Sequence, residues 1–369
     1  MKKYRVVLCS NTSWYLFKFR KSTITSFLDK GAEVYCVAPP DEYSYKLSQL
    51  GANYVKVNMV GKSTKLISEL KSALFIYNKI KSISPSHVFN FTPKMNLYSG
   101  LACRILKIPY SNNISGLGTM FIHDSILFRI ARKAFKVSNG GADTVFFQND
   151  EDRQLFDRMG LINGGRVDVL PGSGVNVNEF SFSELPKTDL VFLMIGRLIG
   201  DKGVREYVEA ARIVKETNQN VRFLLAGPAG VSNQSAISES ELEQWVSSGI
   251  VEYIGYQEDV KPWIKAAHVV VLPSYREGMP RVVLEAASMG RPAIVSDAPG
   301  CRQSIAPGET GLLCKPKDAG DLANVFFKVI DMDRAALENM GREARKRMVD
   351  YFSEEIVVKK ALDCVGSVI

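Results

Sequence analysis

The sequence predicts an α/β protein built from two doubly wound, Rossmann-like domains. Three observations predict it. Strand-like runs alternate with helical patterns along the chain, which implies repeated βαβ units and parallel sheets. A stretch rich in Gly, Ser, Pro and Asn, from Pro171-Gly172-Ser173-Gly174 to Pro186-Lys187, interrupts the alternation midway. A chain of 369 residues also exceeds what one ordinary core serves. The expected domains are 1–180 and 187–350, followed by a helical segment at 351–369.

In the first half, strands are expected at 5–9, 33–37, 87–90, 110–113, 144–148 and 167–170. Helical patterns fall around 21–30, 65–81, 97–106 and 126–135. No Gly-x-Gly-x-x-Gly follows the first strand, which argues against a dinucleotide cofactor. Ser10-Asn11-Thr12-Ser13-Trp14-Tyr15-Leu16-Phe17-Lys18-Phe19-Arg20 comes there instead. Two readings of it stand: an amphipathic helix start packed on the sheet, or an aromatic and cationic lip facing lipid and phosphate. The turn Asn113-Ile114-Ser115-Gly116-Leu117-Gly118 follows another strand, and its glycines would let a ligand approach the backbone.

In the second half, strands are expected at 190–195, 221–226, 251–254, 269–272, 293–296 and 311–314. After the first comes Gly196-Arg197-Leu198-Ile199-Gly200-Asp201-Lys202-Gly203, then a helix with Val204, Tyr207, Val208, Ala211 and Val214 on one face. From Ala319 the chain reads as helical, with a break near Asp350–Ser353 and a last helix at 354–365.

Charge divides the halves. Residues 1–180 carry 24 Lys+Arg against 13 Asp+Glu, and the remainder 23 against 26, so all excess positive charge is N-terminal. A basic domain suits phosphates, nucleic acid or an anionic membrane surface, and is equally compatible with a merely solvated surface. No apolar run approaches the roughly 20 residues that span a bilayer. The apolar stretch after Met1 is too short for a signal peptide. Six scattered cysteines without a Cys-x-x-Cys pair read as reduced core residues of a cytosolic protein.

Two constellations carry chemistry. Arg197 and Lys202 flank a strand-to-helix turn, where Arg grips two oxygens and Lys acts as a point charge, a pairing suited to a diphosphate. Glu277 sits in the loop after the strand at 269–272, beside the backbone of Gly278 and Met279. Glu285 follows inside a helix that has Pro280 at its first position and Gly290 with Pro292 at its end.

With Gly-Arg-x4-Lys-Gly and Glu277-x7-Glu285 together, the chain resembles the retaining GT-B glycosyltransferases of family 4. The resemblance covers essentially the whole chain and is most specific over 190–315. It implies a GT-B fold with a cleft between the domains and a final helix returning to the N-terminal domain. It also implies donor binding by Gly196, Arg197, Lys202, Glu277, Gly278, Met279, Pro280 and Glu285. Glu277 would meet the donor sugar and Glu285 the ribose hydroxyls, with Glu277, Arg197 and Lys202 as the catalytic set. Trp14-Tyr15, Phe19-Arg20, the turn at 113–118 and Phe146-Phe147-Gln148-Asn149-Asp150 are similar to bacterial transferases acting on polyprenyl-diphosphate-linked sugars, some of which add galactose or N-acetylgalactosamine. That places Asn11, Phe19, Arg20, Gly116 and Gly118 on the acceptor side. It implies a UDP-sugar donor, a polyprenyl-diphosphate-linked acceptor and a peripheral site on the cytoplasmic membrane, with no nucleic acid partner.

Many members of the wider family carry a His in the turn that here reads Asn-Ile-Ser-Gly, so a His-centred acid/base role is in doubt. His123 reads as a helix-start residue; His87 and His268 read as core residues. Asp150-Glu151-Asp152 and Asp331-Met332-Asp333 have the Asp-x-Asp form, but one opens a helix and the other lies in the helical tail. No metal is expected. A UDP-sugar 2-epimerase and a non-catalytic nucleotide-sugar-binding protein remain as alternatives, and the two-carboxylate glycosidase scheme is the competing chemistry.

Overall fold

Short runs of four to six residues become the parallel strands of the first unit, and the central apolar ones, such as residues 6–9, are covered by helices on both faces. The computed structural model describes residues 4–59, 66–116, 126–231 and 233–366. The chain divides into two units, Met1–Gly174 with Glu354–Ile369, and Val175–Ser353. Unit 1 contains β1 (Arg5–Cys9), α1 (Ser13–Asp29), β2 (Glu33–Ala38), α2 (Ser44–Gln49), β3 (Asn53–Lys56), α3 (Leu66–Ile83), β4 (His87–Phe91), α4 (Pro93–Leu106), β5 (Tyr110–Ile114), α5 (Ile126–Asn139), β6 (Thr144–Phe147), α6 (Asp150–Arg158) and β7 (Arg166–Val169). The strands lie in the order β3-β2-β1-β4-β5-β6-β7. Alternate residues feed two cores, Val7, Cys9 and Val88 on one face and Val6, Leu8 and Phe89 on the other.

Three elements differ from the sequence expectation. The first helix begins at Ser13, with Thr12 Oγ1 accepting from the Tyr15 N–H at 3.1 Å, and Leu16 and Arg20 extend the buried stripe of Thr23, Ile24 and Phe27. The aromatic stretch before residue 21 is therefore helix. The strand β3 and helix α2 were not expected: β3 is a short, half-exposed edge strand, and α2 buries only Leu47. Neither leaves a periodic apolar signal.

Unit 2 contains β8 (Val191–Ile195), α7 (Val204–Lys215), β9 (Arg222–Ala226), α8 (Glu239–Ser247), β10 (Glu252–Tyr253), α9 (Lys261–Ala266), β11 (Val269–Leu272), α10 (Arg281–Ser288), β12 (Ala293–Ser296), β13 (Gly311–Cys314), α11 (Ala319–Ile330) and α12 (Arg334–Tyr351). Its parallel order is β10-β9-β8-β11-β12-β13. The helical tail is interrupted at Asp331–Asp333, where Asp333 stands at the start of α12.

The expected linker at 171–187 is mostly part of unit 2. Phe180 and Leu185 are buried, and three arginines hold the segment by its carbonyls. Arg291, fully buried, donates to the carbonyls of Ser183 and Glu184 as well as Ala267, Lys265 and Met289, and burial lowers its pKa to about 10. Arg345 reaches Val177 and Phe180, and Arg334 reaches Leu185 and Pro186. The chain then returns to unit 1, where the last helix, α13 (Glu354–Val365), packs Ala361 and Val365 into the core of Leu16, Ile24 and Phe27.

In each sheet the winding reverses once, between β1 and β4 in unit 1 and between β8 and β11 in unit 2. Such reversals open a crevice at the C-terminal strand ends, where ligands bind in open α/β folds.

Candidate active site

The residues singled out in the second half gather at the reversal point of unit 2. Beyond β8, Gly196 has open space where a Cβ would stand, and Arg197 is exposed. A single 3-10 turn, Gly200–Lys202, then leads through Gly203 at φ +75° into α7. A Cβ on Gly203 would lie 2.2 Å from the Pro273 carbonyl oxygen, so only glycine lets the loops after β8 and β11 touch there. Tyr275 fastens the same two loops. Its N–H donates to the Asp201 carbonyl at 3.0 Å and its hydroxyl to Glu206 Oε1 at 2.6 Å. Burial, then the neighbouring Glu206 carboxylate, raises the Tyr275 pKa, so the phenol stays protonated as a donor.

This bracing brings together two residues 75 positions apart: Lys202 Nζ donates directly to Glu277 Oε1. The side chains are 21% and 15% exposed, so the pair is shielded but reachable from the crevice. A third loop supports Glu277 from behind. Its N–H donates to the Pro299 carbonyl at 3.0 Å, and a Cβ on Gly300 (φ +80°) would meet the Glu277 carbonyl oxygen at 2.1 Å. Glu285 lies one turn into α10 and is held by Arg281 at 2.6 Å. Pro280 is buried and stands just before the helix, which begins at Arg281. The expectation of Pro280 at the first helical position is corrected by one residue, because its ψ of 103° is extended. Gly278 and Met279 fill the loop between, with Met279 partly buried against the core beneath.

Unit 1 presents a different reversal point. At its C-terminal rim the Ser10 Oγ, Asn90 Oδ1 and Thr92 Oγ1 atoms are buried and have no hydrogen-bond partner. Behind them runs a polar network that sequence reasoning missed. Asn90 donates to Asn112, Asn112 to Ser138 and Asn139, and Asn139 to the Leu161 carbonyl; the Asn96 side-chain amide donates to the Asn113 carbonyl and accepts from the Asn113 N–H. The available signal was asparagine and serine at core-facing positions inside otherwise apolar segments, since such groups are buried only when bonded.

Of the residues assigned to the acceptor side, Asn11 is exposed beyond β1, and Phe19 packs edge-on to Trp14 and Tyr15. Arg20 is 2% exposed, with its guanidinium 4.3 Å from the Phe91 ring centre. The outer face of α1 and α2 carries the exposed Trp14 and Tyr45, with Lys18 and Lys46 over the Tyr43 ring. Gly116 has φ +132°; Gly118 and His123 lie outside the described residues.

The two described histidines are structural. His87 Nε2 is 2.9 Å from Ser111 Oγ in the core, and burial lowers its pKa to about 4. His268 Nδ1 accepts from the Val191 N–H, Nε2 donates to the Pro186 carbonyl, and burial again lowers its pKa. Among the described residues no group of three or more His, Cys, Asp or Glu is placed to hold a metal ion. Asp150, Glu151 and Asp152 form the first turn of α6, capped by Asn149.

Comparison with known proteins bears on the family and the fold. Residues 176–347 match the family described as glycosyl transferases group 1, and residues 5–149 match the glycosyl transferase 4-like family. The chain is 27% identical, over 99% of both proteins, to the N,N'-diacetylbacillosaminyl-diphospho-undecaprenol alpha-1,3-N-acetylgalactosaminyltransferase of Campylobacter jejuni. It is 24% identical, over 79% of this chain and 78% of the relative, to the UDP-Gal:alpha-D-GlcNAc-diphosphoundecaprenol alpha-1,3-galactosyltransferase of Escherichia coli. Its fold matches Anabaena HepE in complex with UDP-glucose with a TM-score of 0.79, at 16% identity over 99% of this chain and all of the other. With its two halves matched in order and its fold shared along its length, the chain belongs to the GT-B glycosyltransferases, a 4-like domain followed by a group 1 domain.

Proposed function

We propose that this glycosyltransferase moves a hexose or N-acetylhexosamine, of galactose or N-acetylgalactosamine type, from a UDP-sugar to a polyprenyl-diphosphate-linked sugar with retention of configuration. The observation that carries the donor half is the Lys202–Glu277 pair at the reversal point, with Arg197 exposed in the loop that follows β8. The diphosphate takes over Lys202 and Arg197, and the sugar hydroxyls take over Glu277. Glu285 accepts from the ribose diol. As the bond from the anomeric carbon to phosphate breaks, the two cations stabilise the charge on the leaving UDP. The acceptor hydroxyl attacks from the same face, and its proton passes to the departing phosphate oxygen. No metal enters the scheme.

The acceptor half is supported by the relatives that act on undecaprenyl-diphosphate-linked sugars and by the basic first half. No described helix is long and apolar enough to cross a membrane. The aromatic and cationic face of α1 and α2 fits peripheral contact with the anionic cytoplasmic leaflet. The epimerase reading needs a histidine among the catalytic carboxylates, and the two histidines among the described residues, His87 and His268, are both committed elsewhere. The test is UDP release from a panel of UDP-sugars, with and without a lipid-linked sugar, in the presence of a chelator. Acceptor-dependent release that survives chelation is expected. Release of UDP with isomerisation and no acceptor product would favour the epimerase, and a chelator-sensitive reaction would overturn the metal-free scheme.

A further inference from the structure

The helix α10, which carries Glu285, is pinned on most of its circumference. Val283, Leu284, Ala286, Ala287 and Ser288 are buried, which leaves Arg281, Val282 and Glu285 as its partly exposed residues. Arg281 Nε donates to Glu285 Oε1 at 2.6 Å, one turn along the helix. Helix stability does not account for this pair. Arg281 holds the first position of α10, at the positive end of the helix macrodipole, where a carboxylate is favoured and a cation is not. No acidic residue stands in the first turn to offset it, and no side chain caps the helix. The order of the pair is also the weaker one, since an ion pair at this spacing gains more with its carboxylate on the N-terminal side. The pair is shielded besides. Its side chains are 21% and 12% exposed, whereas Arg212–Glu216, of the same order and spacing in α7, is 48% and 62% exposed. A pair that opposes its own helix and lies partly out of water is explained by what it does to the carboxylate.

We propose that Arg281 is a positioning residue for ribose selection, a deepening that rests on the reading of Glu285 as the acceptor for the ribose diol. A glutamate side chain that is free to turn must be ordered by its ligand, which weakens binding by about tenfold. Arg281 orders the Glu285 carboxylate before the nucleotide arrives. A carboxylate offers about four acceptor positions, so a guanidinium on one oxygen is compatible with two hydroxyls donating to the same group. Arg281 thereby sets how strongly the protein distinguishes a ribose from a sugar without the diol, and it does so through Glu285 alone.

The test is calorimetry on the full chain with UDP and with 2',3'-dideoxy-UDP, which lacks the diol. The wild type should favour UDP by at least about tenfold, because the diol donates to a charged acceptor. Arg281→Met keeps the stem and removes the cation. It should reduce that ratio about three- to tenfold by weakening UDP alone, with dideoxy-UDP binding unmoved. Arg281→Lys, which keeps a cation within reach of Glu285, should lie between the two. In a Glu285→Gln background Arg281→Met should change the ratio no further, since both residues act through one carboxylate. A general loss of folded protein weakens both nucleotides alike and leaves the ratio where it was. If Arg281→Met weakens UDP and dideoxy-UDP equally, the guanidinium acts on the diphosphate or on the fold, and the inference is overturned. A wild type that discriminates beside an Arg281→Met that discriminates as well also overturns it, and leaves the reading of Glu285 standing. Equal binding of the two nucleotides by the wild type would remove the ribose role of Glu285 itself.

Discussion

The two sheets reverse their winding in the same way, yet the reversal points are finished in opposite chemistry. In unit 2 the crevice is lined by ions that satisfy one another, Lys202 with Glu277 and Arg281 with Glu285. In unit 1 the strand ends bury neutral groups, Ser10, Asn90 and Thr92, each with a polar atom left without a partner, as Ser274 and Ser296 are in unit 2. A paired site suits a ligand that carries charge of its own, because a diphosphate and a polyol can replace each partner of the pair at little net electrostatic cost. An unpaired neutral site suits a ligand rich in hydroxyls, which both donate and accept.

Breaking the paired site should have the largest effect. Glu277→Ala should lower transfer at least about a thousandfold, roughly 4 kcal/mol of transition-state stabilisation, with UDP binding by calorimetry nearly intact. Unchanged turnover would reject the role of Glu277. Next comes a pH test of the sheet that carries the neutral site. The His87 pKa is depressed to about 4 from about 6.5, so the neutral ring's contribution is complete above pH 6.5 and is lost as pH falls toward 4. Unfolding measured across that window should show unit 1 losing about 3 kcal/mol, and a flat stability profile would contradict it. Arg197→Ala should weaken UDP binding by about 1–3 kcal/mol, the range for a charge-assisted contact, and an unchanged titration would remove Arg197 from the diphosphate site. The smallest effect belongs to Tyr275→Phe, which deletes the hydrogen bond to Glu206. A loss of about 1 kcal/mol in kcat/KM for the donor, with acceptor KM unaffected, would show that the phenol sets the register of the two donor loops.

What was legible in the sequence is what local spacing encodes. Glu277-x7-Glu285 and the Arg197–Lys202 turn follow from a strand end, a loop and a helix within a dozen residues. The strands β11, β12 and β13 and the helix α13 fall at their expected bounds because their apolar patterns are continuous. The asparagine network was not legible. It depends on the register of β4 against β5 and on α5 reaching them, relations between residues up to 27 positions apart. The Lys202–Glu277 contact was hidden for the same reason. Arg20 reads as a surface cation in the sequence, and only the packing of α1 on Phe91 places it inside. The segment after Gly174 resembles a linker in composition, whereas its binding by Arg291, Arg334 and Arg345 comes from residues more than 100 positions later.

The placement of α13 has a consequence for synthesis. Unit 2 is a continuous stretch, while unit 1 lacks its last helix until the ribosome has made everything between Val175 and Ser353. Until then Leu16, Ile24 and Phe27 face water where Ala361 and Val365 belong. The domain that emerges first is therefore completed last, and the nascent chain must carry an open apolar seam through the folding of its neighbour.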